Sequence, residues 1–381
     1  MAKDWIFVAG LCLARIAFGY QFQSLATMAP ELVARFHIDY RLLGTLVGLY
    51  MLPGVVVALP GGLLGRRFGA RLIVGLGLVL MSLGALLPLL VFDPRSIGLG
   101  RALSGIGAVA LVVMQGQMVS DRFPGRRFMP VMGLLVGAFP VGAGLVGLTH
   151  DPLLAAAGPA GLFMMGAALA AASLLLFLPT VQAAPAGRTA SWAMPSRHEC
   201  KLVVVAGLAW TAYNAGYYGF LSYMPSMLAT QGHTPGLIAT VMVIATWANL
   251  PATVLGGALA VRIGNWPVFL VGTVAEVVAV AGQSFADWPL VWATLFGTAA
   301  AAHAGVIIAI GTLSARPENR ATGMGLFYTT YYLGGAVLPA VCGGAADWLG
   351  SPAGALLAAA ALSALAVPTY LLHQSMQRRP A

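Results

Sequence analysis

Charge is scarce in this sequence. Asp, Glu, Lys and Arg together make up 8% of its 381 residues, where a soluble domain carries roughly a quarter. A chain so poor in charge cannot build a water-facing shell around its apolar residues, which excludes an ordinary soluble protein of one or two domains. Cysteine is nearly absent: Cys12, Cys200 and Cys342 show no CxxC or CxxxC spacing, which argues against a disulfide framework or a thiolate zinc site. There is no Walker loop, no H-x-x-x-H pair and no Ser/His/Asp context, so catalysis has no support and nothing calls for a cofactor or a metal. Acids are the rarest charge, 11 against 20 Lys and Arg. One of them, Glu276, falls inside an apolar run.

Hydrophobic residues, at 59%, and 48 glycines fill the space that charge leaves. A membrane-crossing helix needs about 20 apolar residues. Twelve such runs are present: 5–28, 41–64, 71–92, 97–119, 129–149, 158–179, 201–226, 237–260, 266–286, 288–312, 322–345 and 352–374. None has the strict alternation of a barrel strand. The first run lacks an A-x-A cleavage site and is too long for a signal segment, so it is expected to be retained. The expected class is an all-α membrane protein. With the N-terminus in the cytoplasm, 15 Lys and Arg fall on the cytoplasmic side and three, Arg35, Arg41 and Arg95, on the other. That asymmetry orients the chain in a bacterial-type inner membrane with both termini cytoplasmic. It also explains the net charge of +9 by attraction to anionic lipid headgroups, without nucleic acid.

The longest polar stretch divides the chain into a six-helix bundle over 1–180, a cytoplasmic linker over 181–200 and a second six-helix bundle over 201–381. A repeat supports the division. Gly62-Leu63-Leu64-Gly65-Arg66-Arg67-Phe68-Gly69 follows the second run, and Gly257-Ala258-Leu259-Ala260-Val261-Arg262-Ile263-Gly264 follows the eighth. Both read G-x-L-x-x-R-x-G, and parallel six-span halves are a recurring transporter plan. These loops resemble the signature of the major facilitator superfamily. So do Arg101-Ala102-Leu103-Ser104-Gly105 in the fourth run, the loop Asp121–Arg127, the Gly/Pro-rich fifth run with Gly133, Gly137, Pro140 and Gly142, and Arg316–Arg320 before the eleventh. The resemblance covers essentially the whole chain. It departs at Arg66 and Val261, where the family usually carries Asp; Asp121 is expected to supply the missing partner to Arg66 or Arg67. Within the superfamily, the Arg-bearing first run and Tyr20-Gln21-Phe22-Gln23-Ser24 look closest to small-anion porters of the cyanate/nitrate kind.

The resemblance implies alternating access, with runs 1, 4, 7 and 10 lining a central cavity. Ionisable residues at membrane depth are functional candidates by default. Arg15 is the foremost, as an anion ligand, with Gly19 and Gln23 on its stripe and Tyr20 nearby; the competing reading is a guanidinium bonded to backbone carbonyls. Arg101 has the same two readings. Trp210, Tyr213, Asn214, Tyr217 and Tyr218 share one face of the seventh run and read as a cavity wall or as helix packing. Tyr328 and Tyr331 repeat the pattern on the eleventh. His303 is read as an anion or proton ligand, or as a packed histidine. Glu276 is expected to be structural. Gly62, Arg66, Arg67, Gly69, Asp121, Gly257, Arg262 and Gly264 are the expected gating positions. Gly142-x-Gly144-x-x-Gly147 matches a nucleotide fingerprint but lies in an apolar run, where small residues allow close packing. The expected function is a secondary transporter, monomeric and in contact with lipid, for a small organic or inorganic anion. An exporter of neutral or amphipathic compounds is the alternative, and a non-transporting sensor on the same fold is the third.

Overall fold

The computed structural model describes residues 2–58, 68–123, 127–181, 195–316 and 319–378. Within them the chain is helical. The elements are α1 (Ala2–Thr27), α2 (Ala29–Phe36), α3 (Tyr40–Gly48), α4 (Ala70–Leu86), α5 (Pro94–Arg122), α6 (Phe128–Ala157), α7 (Ala160–Phe177) and α8 (Arg197–Thr230). They continue with α9 (Pro235–Trp247), α10 (Asn249–Ile263), α11 (Asn265–Gly282), α12 (Pro289–Leu313), α13 (Arg320–Leu349), α14 (Ala353–Ala364) and α15 (Ala366–Gln377). Ten helical stretches among the described residues are long and apolar enough to cross a membrane. Two further helices, α8 with 34 residues and α13 with 30, are long enough but fall outside that set. These are the two helices that carry the Trp and Tyr clusters.

Prolines explain where spans break. Pro53, Pro251 and Pro368 lack the N–H that would bond the carbonyl four residues back, which belongs to Leu49, Trp247 and Ala364. Helix α3 stops at Gly48, α9 at Trp247 and α14 at Ala364. The spans continue beyond each break, as Tyr40–Ala58, Pro235–Thr253 and Ala353–Gln377, because membrane helices re-satisfy freed backbone groups locally. The sequence expectation that the fifth span ends near 149 is short by eight residues. Helix α6 runs through Asp151-Pro152 to Gly158, which turns the chain at φ 61°.

Contacts group the chain into two compact units. The first comprises Met1–Met28 and Leu49–Ser191, the second Ala29–Gly48 and Trp192–Ala381. In the first, α1 packs on α6 and α7, and α4 packs on α5. Glycines set the α1/α6 distance: a Cβ on Gly142 would stand 2.0 Å from the Ile16 carbonyl, and one on Gly19 2.1 Å from the Phe139 carbonyl. This close approach is what Gly142, the first glycine of the nucleotide-like motif, serves. In the second unit, α3 packs on α13 and α8 on α13 and α14. Gly44 and Gly48 press against the carbonyls of Pro339 and Ala336. Asp347 accepts from the amides of Tyr40 and Arg41 at 2.8 Å each and so caps the start of α3.

The repeated signature has a repeated backbone where both copies are described. Gly69 and Gly264 each precede a helix with φ of 83° and 94°, a conformation that suits glycine. Gly62, Arg66 and Arg67 lie outside the described residues, as does the expected pairing of Asp121 with Arg66 or Arg67. Asp121 is exposed, and its neighbour Arg122 pairs with Asp4 at 2.8 Å. Gly257 lies inside α10 with open space at its Cβ position, and Arg262 is exposed in the last turn of the same helix.

Candidate functional site

In the first unit, two of the expected residues meet through an aromatic pair. Arg15, half-buried on α1, holds its guanidinium 5.5 Å from the centroid of Phe18. Phe18 stacks on Tyr50 at 5.7 Å and 7°. Arg101, buried on α5, lies over the other ring of that stack, 4.9 Å from the Tyr50 centroid. Two guanidinium groups thus flank one Phe–Tyr stack, each close enough for a cation–π contact. Arg15 also donates through Nε to the Leu135 carbonyl at 3.4 Å, and Arg101 through Nη1 to the Gln21 carbonyl at 3.1 Å. The space beside Arg101 is a cavity of about 20 Å³, lined by Gln21, Tyr50 and Ser104 among others; that is room for about one water. Arg15 is the more accessible of the two.

The neighbours of Arg15 on α1 are committed elsewhere. Tyr20 is fully buried, its hydroxyl 2.9 Å from that of Thr149 on α6. Gln23 is also fully buried, and its amide reaches Thr27 at 3.5 Å. Gln21, unremarked as a site residue in the sequence, is a junction: it donates to the Met81 and Gly166 carbonyls and accepts from Tyr50 at 3.1 Å. Nothing in its sequence context distinguishes it from Gln23, because the partners come from distant helices.

In the second unit, the face of α8 forms an aromatic cluster with α12 and α13. Trp210 stacks on Tyr213 at 4.7 Å, Tyr213 is followed by Tyr217 at 6.3 Å, and the Tyr218 hydroxyl meets that of Tyr331. Tyr328 lies beside Tyr331 at 6.4 Å. Asn214 donates to the Trp210 carbonyl at 2.7 Å. The Trp210 indole N–H is buried and bonds no described residue, which marks a donor the sequence reading counted only as part of the stripe. His303 on α12 sets its ring edge-on to Tyr213, 5.0 Å away, and its Nε2 lies 3.3 Å from Glu276 on α11. Both are fully buried. Glu276, expected to be merely structural, therefore belongs to the cluster. Among the described residues no group of three or more His, Cys, Asp or Glu is placed to hold a metal.

Comparison with known proteins agrees with this architecture. The model of the Major Facilitator Superfamily matches residues 11–339 and 202–380. A 3-(3-hydroxy-phenyl)propionate transporter of Escherichia coli (strain K12) is 24% identical over 358 residues, 88% of this chain and 85% of that protein. An MFS-type transporter of Aspergillus terreus is also 24% identical, over 146 residues; the matched region spans 38% of this chain and 26% of that protein. Among solved structures, the xylose transporter XylE from E. coli in an inward open conformation superposes with a TM-score of 0.75 at 16% identity, over 95% of this chain and 94% of that one. A bacterial homologue of the human lysosomal transporter Spinster superposes at 0.73 and 15%, over 98% and 97%.

Proposed function

The chain belongs to the major facilitator superfamily, and from that membership we propose a secondary transporter that carries a small organic anion by alternating access. Twelve spans, with both termini on the cytoplasmic side of a bacterial inner membrane, complete the reading. The observation that carries the substrate class is the pair of guanidiniums, Arg15 and Arg101, flanking the Phe18–Tyr50 stack. Positive charge on apolar spans attracts anions, and a guanidinium offers a planar fork that matches a carboxylate. An aromatic ring beside that fork suits an acid with an aromatic body. The E. coli relative is named for such an acid, which favours a carboxylate over nitrate or cyanate.

In this reading Arg15 holds the carboxylate. The rings of Phe18 and Tyr50 beside it offer aromatic surface to the rest of the molecule. The test is a thermal-shift panel on the purified protein with 3-(3-hydroxyphenyl)propionate, aliphatic carboxylates, nitrate, cyanate and hydrophobic amines. Stabilisation is expected from the aromatic carboxylate first. Stabilisation by the amines alone would replace the anion reading with export of amphipathic compounds, for which the tyrosine-rich faces of α8 and α13 are also suited.

A further inference from the structure

Helices α4 and α7 of the first unit close on each other at Ser82, whose hydroxyl lies 3.4 Å from the Ala167 carbonyl. Two turns nearer the start of α4 they leave a groove of about 420 Å³, lined by Arg71, Leu72, Leu76, Val79, Leu174 and Leu178 among others. Gly75 deepens it. A Cβ there would meet only the side chains of Leu178 and Leu174, at 3.5 and 3.9 Å. Leu72, Leu76 and Val79 are exposed, and Leu174 and Leu178 are half-buried. On a chain that spans a membrane, the medium that meets such an apolar trough is lipid.

One end of the groove is charged. Arg71 is half-buried in the first turn of α4, at the edge of the span Ala70–Leu89. An arginine so placed lays its stem along the apolar wall and keeps its guanidinium at headgroup depth. From Arg71 to Val79 the helix rises about 12 Å, close to the roughly 15 Å of hydrocarbon in one leaflet. The groove therefore has the length of an acyl chain and a cation where that chain's headgroup begins.

The sign of the charge selects the headgroup. Arg66, Arg67 and Arg71 lie at the entry to α4, and residues 40–92, which supply one wall, include no acid. Residues 152–198, which supply the other, include none either. At the end of α7 the Thr180 carbonyl accepts from Arg122, and Arg122 also pairs with Asp4 at 2.8 Å, so the acid at that end is met by a cation of its own. The ammonium of a zwitterionic lipid finds no carboxylate on either wall, whereas a phosphate finds a guanidinium.

We propose that this groove binds an anionic phospholipid, one acyl chain lying between α4 and α7 and the headgroup phosphate at Arg71. Basic pockets between membrane helices hold such headgroups. The site lies within the first unit and draws nothing from the anion reading above.

Native mass spectrometry of the intact protein in detergent tests it, with dioleoyl phosphatidylglycerol, phosphatidylcholine and phosphatidylethanolamine titrated separately. Phosphatidylglycerol is expected to bind about fivefold more tightly than the other two, the worth of one arginine beside an anionic headgroup. Arg71→Gln should abolish that preference, and Arg378→Gln, at an exposed arginine far along the sequence, should keep it. Gly75→Leu should weaken all three lipids by filling the groove. Leu76→Trp narrows the groove from its exposed lip and reports the same loss should the thermal midpoint show Gly75→Leu to be unfolded. Equal affinity for the three lipids in the wild type, a preference for phosphatidylethanolamine, or equal losses in Arg71→Gln and Arg378→Gln overturns the headgroup assignment. Undiminished binding in the folded groove variants, or competition by glycerol phosphate without chains, overturns the place of the acyl chain.

Discussion

Arg15 is half-buried and donates to one carbonyl of α6, whereas Arg101 is buried under Tyr50 and donates to α1. Their replacements are expected to differ. Arg15→Ala should leave the thermal midpoint near wild type and weaken binding of the aromatic carboxylate by about 2–5 kcal/mol, as for other desolvated charge pairs. Arg15→Lys should weaken it less, because a point charge replaces a fork. Arg101→Ala should lower the midpoint itself. Unchanged affinity in Arg15→Ala would end its role as the anion ligand. Glu199 offers a pH prediction. It closes a capping box with Ser196 and accepts from the Arg316 amide at 2.8 Å. Those backbone donors, with the Asn319 amide, hold its carboxyl down from 4.5 to about 2. A depressed carboxyl stabilises the fold above its unfolded value and ceases to do so as pH falls through the folded one. The midpoint difference between wild type and Glu199→Ala should therefore be full above about pH 4.5 and shrink toward about pH 2. Residue types were legible in the sequence: an Arg in an apolar run, or five polar and aromatic residues on one helical face, announces itself. Pairings were not. Gln21 and Glu276 acquire their roles from helices more than 25 positions away.

Helices were legible because apolar runs of sufficient length have few alternatives. Their ends and breaks were less so. Pro152 reads as a terminator in water but sits inside α6, while Pro251 and Pro368 divide spans that look continuous in hydropathy. The polar faces of α8 and α13 set them apart in composition from the ten apolar stretches, so the feature that singles them out as candidates also lowers their hydropathy. Packing between elements is testable through glycine. Gly142→Ala should cost about 1–3 kcal/mol by overpacking α6 against α1. Gly133→Ala, on the same helix with open space at its Cβ position, should cost nothing measurable. Chemical or thermal unfolding of the two variants checks this; equal effects would mean that α1 and α6 are not held at the observed distance.

At the scale of the molecule, the family and the helical class were visible from composition and from the repeated G-x-L-x-x-R-x-G. The second copy lies 195 positions after the first and ends on a glycine of the same backbone sign. The arrangement of charge gives a prediction of topology. A cysteine introduced at Ser191 in a cysteine-free background should resist an impermeant reagent applied to intact cells and react after lysis. Rapid labelling in intact cells would reverse the orientation. The substrate was not legible at this scale, because the fold is shared by carriers of a sugar and of an aromatic acid alike, and chemistry rests on a few side chains.

The capping of α3 by Asp347 has a consequence for how the protein is made. The amides of Tyr40 and Arg41 find their acceptor 307 and 306 positions later in the chain, and Gly44 and Gly48 pack closely against the carbonyls of Pro339 and Ala336. During synthesis, α3 enters the bilayer with a small-residue face uncovered and its first turn uncapped, and waits for nearly the whole protein to follow. A nascent chain arrested before residue 336 should therefore expose a cysteine placed at Leu43, a buried residue of α3, to a membrane-permeant thiol reagent. Release of the completed chain should close it, making this contact a marker of finished assembly.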